Sequence, residues 1–117
     1  MTRQDKKDFE IFQKEFKYWQ ERFGLLDWEV YFKHEPVDAG FACIHYKNNS
    51  RVATATINSD VDAYNKELVD PKGSAKHEAI HLLLSDLAHM GLDRHATSED
   101  LEREEEKLVV KLMKIIK

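Results

Sequence analysis

Residues 77–81 read His77-Glu78-Ala79-Ile80-His81, a full His-Glu-x-x-His run, and nothing else in the chain restricts its fold as much. On an α-helix each residue turns by about 100°, so the two imidazoles stand about 40° apart and one turn along the axis. Two histidines so placed can close on one Zn2+, and Glu78, about 60° further round, can reach a water beside the metal. With His77 at zero, Ile80, Leu83, Leu84 and Leu87 fall between about −20° and −120°. That sector predicts an apolar backing beside the histidines, while Lys76 and Ser85 take polar directions. Such a run also arises by chance on charged, solvated helices. The apolar backing and a downstream donor argue for the metal.

The elements around this helix are legible from their periods. Phe9, Phe12, Phe16, Trp19 and Phe23 recur at spacings of three and four, the stripe of an amphipathic helix over residues 6–23, with Gly24 as its C′ residue. Residues 26–33 alternate strictly, with Leu26, Trp28, Val30 and Phe32 on one face of a half-buried strand. Residues 41–47 and 51–58 form two more strands around an Asn48-Asn49-Ser50 turn. The second is built of small and β-branched residues, which suit either the wall of a substrate groove or close packing under a helix. Residues 59–73 form a long connection with a short helix around 61–68. Ser74 is the expected N-cap of the motif helix, which runs to about Met90 and stops at Gly91. Thr97-x-x-Asp100 opens a last helix with a capping box; acids come early in it and lysines late.

Composition narrows the class. The 117 residues are 42% hydrophobic and 34% charged, which fits one globular domain over residues 1–117. Net charge is −4 and no basic stripe appears, so nucleic acid is not an expected partner. No apolar run is long enough for a membrane span, and the N-terminal residues lack a signal core. The single Cys43 reads as a small buried hydrophobe. Together these point to a soluble, cytoplasmic protein.

A catalytic zinc takes three protein ligands and keeps one position open. Leu84 and Leu87 stand where a metzincin would need Gly and a third His, so that class is excluded. His89 lies about 12 Å along the axis from His81, too far to share the metal. On the last helix, with Leu108 at zero, the apolar residues centre near about 50° and Glu105 falls near 60°. Glu102 lies near 120°, Glu104 near −40° and Glu106 near 160°. A carboxylate within an apolar stripe is costly unless paired or metal-bound, so Glu105 is the expected third ligand, with Glu102 or His95 as alternatives.

The motif, followed by a helix carrying Glu105-Glu106-Lys107-Leu108-Val109, resembles a zincin of the gluzincin type in its smallest form. It is similar to short phage- and prophage-encoded metallopeptidase-like proteins, and more distantly to SprT-like and ImmA/IrrE-like domains. The resemblance implies an α+β fold: an N-terminal helix, a small, mainly antiparallel three-stranded sheet, the zinc helix and a ligand-bearing C-terminal helix. It also implies Zn2+ on His77, His81 and Glu105, and hydrolysis of a peptide or protein substrate with Glu78 as general base. Tyr64, Arg94 and His95 flank the motif helix and are candidates for a second oxyanion donor. The alternative from another class is a non-catalytic zinc protein whose site braces the fold or a partner interface.

Overall fold

The aromatic stripe forms the inner face of the first helix, α1 (Arg3–Arg22), with Phe12 and Phe16 fully buried at its centre. This is a computed structural model; it describes residues 2–38, 40–92 and 94–115. The helix starts earlier than the stripe predicts because Thr2 caps it. Its hydroxyl accepts the Asp5 N–H at 3.0 Å, and the Asp5 carboxylate accepts the Thr2 N–H at 3.1 Å. It ends at Phe23, and Gly24 takes φ +70°, the left-handed C′ position expected of it. Gln20, buried on the same face, donates from Nε2 to the carbonyls of Leu25 and Trp28, each at 3.0 Å, and so ties the helix to the first strand. Gln20→Leu keeps the volume but takes this donor from the Trp28 carbonyl, while the Leu25 carbonyl keeps the Trp28 N–H at 3.1 Å. It should cost about 1–3 kcal/mol in a denaturant melt; a change under about 0.5 kcal/mol would show these bonds to be dispensable.

Three strands, β1 (Glu29–Glu35), β2 (Ala42–Lys47) and β3 (Val52–Asn58), form a sheet in the order β1-β3-β2. The sheet is mixed rather than mainly antiparallel: β3 pairs parallel with β1 and antiparallel with β2. The chain crosses from β1 to the far edge, and the β2–β3 hairpin then brings β3 back into the middle. Val30, Phe32, Ala42, Ile44, Tyr46, Ala53, Ala55 and Ile57 face the helices as one layer. β3 is therefore the central strand, and its alanines make room for packing; they line no groove. Leu26, expected on the inner face, is 70% exposed, and Leu25 is buried in its place. The strand starts three residues later than its alternation suggests. Cys43, opposite Thr56 in β2, is only half-buried, and burial pushes its thiol up.

The turn between β2 and β3 is held by Arg51, a non-glycine residue at φ 58°. Its guanidinium pairs with Asp27 at 2.8 Å and with Asp86 of the motif helix, and lies 4.4 Å over the Trp28 ring. These partners offset the cost of the left-handed backbone. For Asp86, burial pushes the carboxyl up, but the hydrogen bonds from Arg51 and Asn48 outweigh it and hold the group below its ordinary 3.8. A depressed carboxylate contributes stability that is present above that value and lost as pH falls through the folded one. The stability gap between the parent and Asp86→Asn should thus be widest near neutral pH and close below about pH 4. A gap that stays constant in acid would remove Asp86 from the acid response.

The motif helix, α2 (Pro71–Leu92), starts three residues before the expected Ser74 cap. Asp70 caps it, its Oδ1 accepting the Gly73 N–H at 3.1 Å, and Pro71 takes the first helical position. Only a 3-10 turn at Lys66–Leu68 stands where a short helix was expected. Gly91 lies within α2 and does not stop it. The last helix, α3 (Ser98–Ile115), begins as predicted: Thr97 Oγ1 accepts the Asp100 N–H, and Asp100 accepts the Thr97 N–H, both at 3.1 Å. Among the described residues, no helix is long and apolar enough to cross a membrane.

Candidate metal centre

The buried face of α2 is Ala75, Glu78, Ala79, Leu82, Leu83 and Ser85; of the predicted sector it takes in Leu83, with Leu87 half-buried, and leaves out Ile80 and Leu84. Ile80 and Leu84 are 37% and 38% exposed. Two buried alanines a turn apart let neighbouring elements come close to the helix axis, and leucines counted alone misplace the face. Ser85, expected in a polar direction, is buried, its hydroxyl donating to the Leu82 carbonyl at 2.7 Å. Lys76 sits 4.9 Å over the Trp19 ring. α2 packs on α1 along one side and on β2 along another, so the motif lies beside an edge strand.

This rotation exposes both histidines and buries Glu78, which is 6% exposed. The two Nε2 atoms stand 3.1 Å apart. Two nitrogens about 2.0–2.1 Å from one tetrahedral zinc stand about 3.3 Å from each other, so the pair fits one ion with almost no movement. Donor atoms of His77, Glu78 and His81 all lie within 4.8 Å of one another. Burial pushes the Glu78 carboxyl up, against the pull of the two histidines. A buried carboxylate beside the two histidines is placed to take and return a proton.

Glu105 is not brought to this group; among the described residues the cluster is His77, Glu78 and His81 alone. Glu105 is exposed, because α3 is turned by about 50° from the predicted phase. Leu101, Leu108, Leu112 and Ile115 are half-buried, while Val109, Val110 and Met113 are exposed. Counting Val109 and residue 116 into the stripe shifts its centre towards Glu105; residue 116 lies outside the described residues. Glu104 is the half-buried acid instead, bonded to Lys107 at 2.9 Å. Tyr64 is 88% exposed, and Arg94, His95, Glu102 and His89 are exposed as well.

His77 opens onto a groove of about 370 Å3 between the start of β2 and the start of α2. Phe41, Ala42, Leu68 and Asp70 line it together with His77 and Glu78. These four lay outside the sequence reading of the site. The signal available was Asp70-Pro71, a cap followed by a first-turn proline, which moves the helix start towards the motif. No family model matches the chain, and neither a curated protein nor a solved structure matches it.

Proposed function

We propose that the chain is a zinc-dependent hydrolase of peptide bonds, with His77 and His81 as metal ligands and Glu78 as general base. The observation that carries this reading is the pair of Nε2 atoms 3.1 Å apart beside a buried carboxylate, at the mouth of a groove. Zinc in such a pair supplies a Lewis acid for a carbonyl oxygen and makes water acidic enough to ionise near neutral pH. Glu78 accepts the proton of the attacking water and passes it to the leaving amine. Glu78 is buried on the inner side of its helix, and the raised affinity for a proton that burial gives it suits both halves of that transfer. The histidines hold their positions by backbone geometry, being one helical turn apart on a helix capped at Asp70.

A zinc that only braces the fold is enclosed by four protein ligands. Both histidines here are exposed and Glu78 alone joins them among the described residues, which favours an open, catalytic position. The test is zinc content by elemental analysis, together with cleavage of an unfolded protein before and after chelation and zinc return. Failure to take up zinc ends the metal assignment. Zinc uptake without cleavage of any unfolded protein ends the hydrolase assignment.

A further inference from the structure

We propose that Asp70 makes the groove beside the metal pair a subsite for a lysine or arginine side chain of the substrate, an inference that rests on the hydrolase reading above. Asp70 stands seven residues before His77, close to two helical turns, and so lies about 10 Å along the axis on nearly the same side. A lysine or arginine side chain reaches roughly 6–7 Å from Cα to its charged head at bond lengths of about 1.5 Å. A residue bonded to the scissile group at the histidines can therefore lay its side chain along the groove with its head near Asp70.

The lining matches such a side chain along its length. Phe41 and Leu68 provide apolar wall for a methylene stem, Leu68 being 63% exposed with nothing packed over it from the core. The acids Asp70 and Glu78 line the groove, and neither lysine nor arginine is among its lining residues. Asp70 uses Oδ1 for the Gly73 N–H, while Oδ2 accepts no hydrogen bond among the described residues. Gly73 leaves room for that oxygen: a Cβ there would come within 2.3 Å of Oδ2. The opposing effect is the start of α2, whose N–H groups would draw an anion. Asp70 is itself that anion, bound by the chain, so the charge left facing the groove is negative.

The test uses two peptide series identical except at the residue on either side of the scissile bond, which is lysine, norleucine or glutamate. Norleucine keeps the stem and removes the charge. Cleavage is measured with the zinc-loaded parent, and binding with zinc-loaded Glu78→Gln, so that recognition is read without turnover. In one series lysine should exceed norleucine by roughly three- to fivefold, the range of an exposed ion pair, and glutamate should rank last. Asp70→Asn and Asp70→Ser retain a capping side chain and remove the charge, and each should bring the lysine-to-norleucine ratio to about one. A parent with no lysine preference, a preference that survives in both variants, or no binding of any peptide overturns the subsite. Lysine-selective binding without cleavage by the parent overturns hydrolysis and leaves the subsite standing. Cleavage without lysine preference does the reverse.

Discussion

His77→Ala and His81→Ala are each expected to abolish tight zinc binding while leaving the fold intact. Both side chains are exposed, so their loss opens no cavity, and the core of Phe12, Phe16, Ala79 and Leu82 is untouched. Loss of an outer-shell partner of a metal ligand typically costs about 10–100-fold in affinity, and loss of a ligand itself should exceed that. A chelator titration of the two variants against the parent measures it. Equal zinc retention by either variant would place the metal elsewhere. The same titration settles the third ligand if it includes Glu105→Gln, Glu102→Gln, Glu104→Gln, Glu106→Gln and His95→Ala. In this structure Glu105 stands apart from the pair, so a loss confined to Glu105→Gln would mean that α3 turns on its axis when zinc binds. A loss confined to the two histidines would leave the third position to a group other than these four glutamates and His95.

The closeness of His77 and His81 was easier to read than the buried face of the helix that carries them, and the reason lies in side-chain size. His77 and His81 come together because four residues make one turn of any α-helix, whatever its surroundings. Which flank of that helix is buried depends on what packs there. Ala75 and Ala79 carry little hydrophobicity, yet both are fully buried and admit close approach of the elements packed on α2. Leucine counting puts Ile80 and Leu84 inside, and they lie at the surface. The same weighting misplaces α3: valines at 109 and 110 look like core but are half-exposed, and the true inner row takes in Glu104 and Lys111. Long charged side chains can line a half-buried seam with their stems, which no pattern of apolar letters reveals.

Strand pairing is a different failure. Alternation over residues 26–33 predicts a strand, which the structure places at Glu29–Glu35, and says nothing of its partner. The parallel pairing of β1 with β3 is set by the connection through residues 36–41, which carries the chain to the far edge before the hairpin forms. Caps, in contrast, were legible where side chain and backbone exchange bonds within four residues. Thr97 with Asp100 is one such case; Gly24 is read instead from its left-handed backbone, and the Thr2–Asp5 pair, of the same kind, goes unread. Asp70 belongs with them chemically, but its place in a polar connection hid it, and with it the near wall of the groove.

Glu78→Gln separates binding from chemistry with the largest change in rate. The substitution is close to isosteric at a buried position, and Glu78 is assigned no bond to the metal, so zinc content should match the parent. Hydrolysis should fall by roughly 10²–10⁴-fold, the usual contribution of a positioned general base. Stability supplies an independent reading of the same carboxylate in the zinc-free chain. Burial raises Glu78 above its ordinary 4.5, so its contribution to stability is present below that value and lost as pH rises through the folded one. The amide carries no charge to bury, and the variant should therefore gain on the parent as pH rises from about 4 towards 7. A variant that keeps zinc and gains stability in that range, but cleaves as fast as the parent, would relieve Glu78 of the proton transfer. One that loses zinc along with activity would make Glu78 a ligand and undo the separation of roles on which the mechanism depends.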